Sequence, residues 1–217
     1  LILATLAVGR VVIPQAGVPL LLGVDVGRFG DDPSVIYPRR GRDASSLPIE
    51  LMFGLDTMQT AARVAETFSK LGADMALVDG GGVGGGVVDR LHQLRIPTIE
   101  VQFGAKADNT NIIERGIKYA NKRAEIWGGV KDWLPFGSIP DFKIPQPNGD
   151  ILTLAEELSN PQYGLTDKEE IRLERKKDMR ARGVPSPNVA DALACTFAVP
   201  TLQPRGMVVT APTVEPP

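Results

Sequence analysis

The sequence predicts an α/β domain built around a mixed five-stranded sheet, and three patterns indicate this fold class. Nearly continuous apolar runs at 20–26 and 75–79 are typical of strands buried in the middle of a sheet. From residue 57 the apolar residues repeat with a helical period. The chain has 217 residues, of which 43% are hydrophobic and 23% charged, which is the composition of a globular protein with its own core.

The first predicted elements are three strands and a helix. Strands at 20–26, 35–37 and 49–53 are joined by short links rich in turn-forming residues, so they form an antiparallel meander. A helix follows from Thr57, which can cap it, to Gly72, which ends it.

The next elements extend the sheet with parallel strands. A fourth strand at 75–79 leads through the glycine-rich link 80–86 into a helix that ends near Leu94, and a fifth strand covers 96–103. Strand–helix–strand connections within one sheet are right-handed. The predicted strand order is therefore 3-2-1-4-5, with helices on both faces.

The second half of the chain is predicted to be mainly helical, with an added β-hairpin. Apolar residues three or four apart predict one long helix over 113–134, with Arg123 on its solvent side and Trp127 in the core. Residues 135–150 are rich in Pro and Gly and are interpreted as a loop. The remaining elements are a short helix at 151–158, a polar hairpin at 162–175, and a last helix from Pro187 to about Val199 with Ser186 as its N-cap.

Only one compact domain is predicted. Residues 20–199 contain all the regular elements, residues 1–19 are interpreted as a connector or N-terminal extension, and the proline-rich tail 200–217 is predicted to be disordered. The chain does not begin with Met, which suggests a piece of a longer protein. The apolar run 1–8 is too short to span a bilayer, so no membrane partner is expected.

Composition excludes several kinds of site. The single cysteine, Cys195, excludes an internal disulfide framework, and the single histidine, His92, excludes a multi-histidine metal site. The formal net charge is −2, so binding to a polyanion would depend on a local basic patch. One such patch is the segment 172–182, whose basic residues are interpreted as a phosphate-contacting arm or as a solvated hairpin face. Its candidate DNA-binding residues are Arg172, Arg175, Lys176, Lys177 and Arg180.

Three aspartates lie where the pattern predicts burial. Asp25 ends the first strand, Asp79 ends the fourth, and Asp191 lies on the small apolar face of the last helix. Buried carboxylates are costly unless they are neutralised, and three together repel one another, so a divalent cation would relieve both costs. Carboxylate oxygens are hard ligands that suit Mg²⁺ or Mn²⁺.

The predicted strand order brings these acids together. Strands one and four are neighbours whose carboxyl ends meet at one edge of the sheet, and a helix packed across the sheet can add Asp191. This is the geometry of a ribonuclease H-like fold, in which two ions about 3.5–4 Å apart promote phosphodiester hydrolysis. We expect Asp25 to bridge both ions, and Asp79 and Asp191 to hold one each. Carboxylates that are scattered, or locked into pairs with arginines, would contradict this hypothesis.

The segments that carry these acids resemble a known family, the nuclease domain of the large terminase subunit of tailed bacteriophages. They read GVDVGRFGDD at 23–32, VDGGGVGGGVVD at 78–89 and SPNVADALA at 186–194. The segments RAEIW at 123–127 and KDMR at 177–180 are also similar. The resemblance extends from about residue 20 to residue 199.

This resemblance implies a metal-dependent endonuclease that cuts concatemeric double-stranded viral DNA before and after packaging into a procapsid, in the cytoplasm of the infected bacterium. In that family the acids matching Asp25, Asp79 and Asp191 bind the metals, and the acid matching Asp31 lies near the site in some relatives. The implied partners are an ATPase domain of the same parent protein, the portal and the small terminase subunit.

The sequence departs from the family pattern in two ways. Asn188 stands where many members carry a second acid, which puts a fourth ligand from that position in doubt. The phosphate-binding motif G-x-x-x-x-G-K-[ST] does not occur, so the packaging motor is not assigned to this chain.

Other functions remain open from the residues alone. Gly80, Gly82 and Gly85 match a dinucleotide-binding pattern, but they follow the fourth strand and stand next to Asp79. The segments around Asp25 and Asp79 also match the two phosphate motifs of actin-like and sugar-kinase-like ATP-binding domains. A non-catalytic DNA-binding module is the third alternative.

Overall fold

A computed structural model describes residues 2–13, 17–27, 32–108 and 116–199. In these ranges the strands are β1 (Leu20–Asp25), β2 (Ser34–Arg40), β3 (Glu50–Met52), β4 (Met75–Asp79), β5 (Thr98–Val101), β6 (Lys143–Pro145), β7 (Ile151–Thr153), β8 (Tyr163–Leu165) and β9 (Ile171–Leu173). The helices are α1 (Ile2–Ala7), α2 (Thr57–Leu71), α3 (Gly84–Gln93), α4 (Lys122–Trp133), α5 (Leu154–Glu157), α6 (Lys176–Ala181) and α7 (Asn188–Cys195).

The central sheet has the strand order β3-β2-β1-β4-β5, which confirms the order predicted from the sequence. β1 pairs antiparallel with β2 and parallel with β4, and β4 pairs parallel with β5. The other strands form two small hairpins, β6–β7 and β8–β9, and the second of these is the predicted one. All six residues of β1 are buried, because β1 lies in the middle of the sheet with helices on both faces.

Each face of the sheet has its own apolar core. On one face, Leu22 and Val24 of β1 pack with Val64 of α2 and Leu91 of α3. On the other face, side chains that include Leu21 and Leu77 pack with residues of α4 and α7. Alternation along β1 and β4 therefore directs Asp25 and Asp79 toward the face that α7 covers.

Two predicted helix boundaries differ from the structure for local reasons. The N-cap of α2 is Asp56 rather than Thr57, because Asp56 and Gln59 form a reciprocal capping box. The helix does end at Gly72, whose φ of 61° suits glycine. The predicted long helix is shorter, since α4 begins at Lys122, where the Asn121 side chain accepts a hydrogen bond from the Ala124 N–H.

Later elements also differ from the predictions. The segment predicted as loop and short helix contains the hairpin β6–β7, and only the four residues of α5 are helical. The last helix runs from Asn188 to Cys195, and its N-cap is Pro187 rather than Ser186. Ser186 instead accepts a hydrogen bond from Arg180 at 3.0 Å, so its hydroxyl oxygen is engaged elsewhere.

The N-terminal segment is in contact with the domain. α1 buries Ala4 and Ala7 in the core cluster that also contains α7. Arg10 donates hydrogen bonds to the carbonyls of Leu134, Gly137 and Leu6. The predicted disordered tail 200–217 lies outside the described residues. Within the described ranges, no helix combines the length and apolar character needed to cross a lipid bilayer.

Candidate metal centre

The three predicted acids lie on adjacent elements. Asp25 is the last residue of β1, and Asp79 is the last residue of the neighbouring parallel strand β4. Asp191 lies in α7, which packs against both strands. Asp25 and Asp191 are buried, with 2% and 0% of their surfaces exposed, and Asp79 is partly buried. The candidate ligand Asp31 lies outside the described residues.

Close packing of α7 on β1 depends on a glycine. A Cβ atom added to Gly23 would lie 1.8 Å from the Ala192 carbonyl oxygen, inside any allowed contact distance. The absence of a side chain at Gly23 lets the α7 backbone lie directly on β1. Asp191, which directly precedes Ala192, is thereby held near the carboxyl end of β1.

Both carboxylate oxygens of Asp191 are held by protein donors. Arg123 reaches them with Nε at 3.1 Å from Oδ1 and Nη2 at 3.3 Å from Oδ2. Trp127 Nε1 donates to Oδ1 at 2.8 Å, and Lys176 Nζ lies 3.0 Å from Oδ2. Burial opposes ionisation of Asp191, but Arg123 and Lys176 outweigh it and lower the pKa of this carboxyl. Asp191 is therefore an ionised carboxylate, and both of its oxygens already accept hydrogen bonds or ion pairs from protein donors.

Asp25 and Asp79 form a different kind of pair. Burial raises the pKa of Asp25 to about 7; Lys176 opposes this shift, whereas the charges of Asp191 and Asp79 add to it. Burial also raises the pKa of Asp79, which accepts a hydrogen bond from the Gly81 N–H at 3.0 Å. Ionisation of these two acids is therefore disfavoured unless a further cation is present.

Lys176, a candidate of the DNA-binding arm, lies inside the carboxylate cluster. Its ammonium is 3.0 Å from Asp191 Oδ2 and 3.5 Å from Asp25 Oδ2. Burial disfavours the charged ammonium, but the two aspartates outweigh this effect and raise the pKa of Lys176. Lys176 is therefore a charged counter-ion of the acids.

The other arm candidates separate into two kinds. Arg172, Arg175 and Lys177 are exposed to solvent, and of these Arg175 lines the groove that contains Asp79. Arg180 is also exposed, but it forms an ion pair with Asp32 and a hydrogen bond to Ser186. Only the first three present charges that the described part of the chain does not already pair.

The sequence pattern does not reveal the roles of three residues of this site. The prediction that Arg123 lies on the solvent side of a long helix is wrong, because the side chain is buried against Asp191. Trp127 is in the core as predicted, yet its indole N–H also binds Asp191. Their spacing of four residues on one helix face was the available signal. Glu157, buried with 2% exposure, had no such signal, since its partner is a backbone N–H of α7.

The donor set fits a divalent cation by its chemistry, although the acids are not arranged as a ready-made metal site. Among the described residues, no three His, Cys, Asp or Glu side chains form a group that could hold a metal ion. Asp191 is paired with Arg123, which is the kind of arginine pairing that counts against the metal hypothesis. The Lys176 ammonium lies between Asp25 and Asp191. Neither Asp25 nor Asp79 forms an ion pair with an arginine in the ranges that the structure describes. Asp25 and Asp79, in contrast, are hard oxygen donors whose ionisation a further cation would favour. Cation binding here requires the Lys176 ammonium to move away from Asp25.

An open groove adjoins the site, and of the three aspartates only Asp79 lines it. It has a volume of about 340 Å³ and is lined by residues that include Asp79, Gly81, Asn121, Arg175 and Lys176. The groove therefore places the basic side chains of Arg175 and Lys176 beside Asp79, and cations on a groove wall favour binding of a phosphate backbone.

Comparisons with known proteins give matches only among solved structures. No family model matches the chain, and no curated protein matches it. The nuclease domain of the large terminase subunit gp2 of bacterial virus Sf6 has a TM-score of 0.73 at 19% identity, covering 91% of this chain and 96% of that one. A mutant of that domain was solved with manganese and has a TM-score of 0.68 at 19% identity, covering 91% of this chain and 97% of that chain.

A more distant similarity supports the same fold. The large terminase nuclease from thermophilic phage G20c, solved with bound magnesium, has a TM-score of 0.55 at 16% identity, covering 85% of this chain and 82% of that one. The chain thus has the ribonuclease H-like fold of large terminase nuclease domains, as the sequence predicted.

Proposed function

We propose that this chain is a metal-dependent endonuclease domain that hydrolyses phosphodiester bonds of double-stranded viral DNA during genome packaging, with little sequence preference. The observation that carries the proposal is the convergence of Asp25, Asp79 and Asp191 at the carboxyl ends of β1 and β4. Its setting would be the cytoplasm of an infected bacterium, beside an ATPase domain of the same parent protein, the portal and the small terminase subunit. The fold shared with terminase nucleases that were solved with magnesium and manganese supports this proposal.

Asp25 and Asp79 would hold the cations, Mg²⁺ or Mn²⁺, and Asp191 would join them once Lys176 withdraws. Bound divalent ions supply Lewis acidity, which lowers the pKa of an attacking water and stabilises charge on the phosphate. Asp31 stays a candidate further ligand. Two ions are proposed by analogy with two-metal phosphodiester hydrolysis at ribonuclease H-like sites.

The protein residues around the acids would orient them and keep them ionised. Arg123 and Trp127 fix the plane of the Asp191 carboxylate by three hydrogen bonds. Lys176 holds the same acids together without a cation and, when displaced, can turn its ammonium toward a phosphate oxygen in the adjoining groove. Arg172, Arg175 and Lys177 would bind the DNA backbone without reading its sequence.

Plasmid nicking tests the proposed function. Supercoiled DNA is incubated with the wild-type chain in Mn²⁺, Mg²⁺ or chelator, and with the variants Asp25→Asn, Asp79→Asn and Asp191→Asn. We expect relaxed and linear DNA from the wild type in a divalent ion only, and intact plasmid from all three variants. Asp89→Asn, which changes an exposed aspartate of α3, is the matched control and should cut normally.

Circular dichroism separates loss of chemistry from loss of folding. Asp191→Asn also removes the ionic partner of the buried Arg123, so this variant carries the greatest risk of unfolding. Asp79→Asn changes a partly exposed residue and is therefore the clearer test of activity. Equal cutting by Asp79→Asn and the wild type would overturn the proposal. Thermal stabilisation by ATP, without any cutting, would instead favour the ATP-binding alternative.

A further inference from the structure

Helix α7, which carries Asp191, has no side-chain cap of its own. Its N-cap residue is Pro187, which offers no hydrogen-bond acceptor on its side chain. Helix N-termini leave their first N–H groups without partners inside the helix, and these groups are costly when buried. Every residue of α7 from Asn188 to Cys195 is buried, so solvent does not replace the missing cap.

Glu157 supplies the cap from 33 residues earlier in the chain. Its Oε2 accepts a hydrogen bond from the Ala190 N–H at 2.7 Å. Ala190 is the third residue of α7, the position that an N-cap side chain normally binds, and it directly precedes Asp191. Burial raises the pKa of Glu157 to about 8 although this hydrogen bond opposes the shift, so at neutral pH the acceptor is an oxygen of a mostly neutral carboxyl group.

The placement of Glu157 is not explained by packing. The residue is 2% exposed, and burying an acid is unfavourable unless a specific partner compensates. α5, which carries it, is held by a capping box between Thr153 and Glu156 and by the fully buried Leu154. A short helix with a capping box therefore presents an acceptor to the turn of α7 that contains Asp191.

We infer that Glu157 is a positioning residue that fixes the first turn of α7, and through it the place of the Asp191 carboxylate relative to Asp25 and Asp79. The inference rests on the proposed function, because it concerns cation binding by these acids. It extends that function to a residue that acts through a backbone N–H of α7 and that the sequence pattern does not reveal.

Calorimetric Mn²⁺ titration of the full chain tests this inference, with unfolding temperatures measured in chelator. We expect Glu157→Ala to weaken Mn²⁺ binding by about tenfold, as loss of groups that orient metal ligands does. Glu157→Gln keeps an oxygen that accepts from Ala190, so it should restore Mn²⁺ affinity to within about twofold of the wild type. Asp56→Ala removes the corresponding cap from α2, on the opposite face of the sheet, and is the matched control.

The Asp56→Ala control distinguishes an effect on the position of Asp191 from a general loss of folding stability. Asp56→Ala should lower the unfolding temperature about as much as Glu157→Ala while leaving Mn²⁺ affinity unchanged. Unchanged Mn²⁺ affinity in Glu157→Ala, or an equal loss in Asp56→Ala, would overturn the inference. If Glu157→Ala does not fold, Glu157→Met fills the volume without accepting a hydrogen bond and takes its place. Absence of Mn²⁺ binding by the wild type would instead contradict the proposed function itself.

Discussion

Arg123 and Asp191 form a buried, two-point ion pair between α4 and α7. Nε and Nη2 of Arg123 lie 3.1 and 3.3 Å from the two oxygens of Asp191, and a third hydrogen bond joins Arg123 Nη1 to the Glu174 carbonyl at 2.9 Å. The guanidinium thus connects α7 to α4 and to the segment that leads into α6. Its rigid fork fixes the orientation of Asp191, which a lysine could not do in the same way.

Removal of this guanidinium should destabilise the fold strongly. We expect Arg123→Met to lower the free energy of unfolding by about 3–5 kcal/mol, because it leaves a buried carboxylate with fewer partners. Urea unfolding at neutral pH measures the change. Arg63→Met is the matched control, since Arg63 pairs with Glu50 and Glu66 near the surface and should cost about 1 kcal/mol or less. Equal losses in the two variants would contradict a special role for the buried pair.

Gly23 should be intolerant of any side chain. Gly23→Ala places a Cβ where the Ala192 carbonyl lies, so α7 must shift away from β1 at a cost of about 1–3 kcal/mol. Because Asp191 moves with α7, Mn²⁺ binding should weaken as well. Gly164→Ala is the control, because nothing lies within 4 Å of its added Cβ. Urea unfolding and Mn²⁺ titration of both variants measure the two effects, and normal stability of Gly23→Ala would refute the packing argument.

The sequence predicts the sheet well because its strands are marked by local patterns. The apolar runs that form β1 and β4 are buried on both faces, and each ends at an acid, so strand order and the positions of Asp25 and Asp79 follow from periodicity and topology. Asp191 is predictable for a related reason, since an acid on an alanine-rich helix face requires a partner. These inferences use only neighbours in sequence and the handedness of strand connections.

The partners of those acids are not predictable in the same way. Lys176 belongs to a run of basic residues, and nothing local distinguishes it from the exposed Lys177. Arg123 lies in α4, whose predicted start at residue 113 is nine residues before the observed start at Lys122. The prediction is too early because the helical spacing of apolar residues continues on the N-terminal side of the Asn121 cap. Both assignments depend on which helix faces meet in three dimensions, and this information is not contained in either segment alone.

Lys176 should stabilise the folded state when no divalent ion is bound. In chelator we expect Lys176→Met to lower the free energy of unfolding by about 1–2 kcal/mol, since Asp25 and Asp191 lose a counter-ion that is about one-third exposed (34%). Mn²⁺ should then raise the unfolding temperature of the variant more than that of the wild type. Thermal unfolding with and without Mn²⁺ measures both effects. Lys177→Met changes an exposed neighbouring residue and should behave like the wild type. If Mn²⁺ raised the unfolding temperature of Lys176→Met no more than that of the wild type, displacement of Lys176 by a cation would be contradicted.

Asp43 should contribute stability that disappears in acid. Burial raises its pKa, but hydrogen bonds from Ser46 and Ser45 outweigh this effect and leave the pKa below the ordinary value of 3.8. The stabilisation is therefore complete above the unfolded pKa and disappears as the pH falls through the folded value. Asp43→Asn should be less stable than the wild type at about pH 6, and this difference should shrink at about pH 3. Urea unfolding at both pH values provides the comparison, and a difference that does not change with pH would contradict it.

Three exposed cations of the segment 172–182 should bind DNA through its phosphates. With the protein kept in chelator, DNA affinity should fall as salt rises. Each of Arg172→Ala, Arg175→Ala and Lys177→Ala should reduce the slope of log affinity against log salt by about 0.9 for each phosphate that the side chain neutralises. Duplexes of different sequence should be affected equally, because backbone contacts carry no sequence information. Fluorescence anisotropy over a range of salt concentrations measures the slope. Lys70→Ala, which removes an exposed charge in the last turn of α2 on the opposite face of the sheet, should leave the slope unchanged. If Lys70→Ala reduced the slope equally, the DNA would not bind specifically at the basic segment 172–182. That result would contradict a role for this segment in bringing DNA to the carboxylate site.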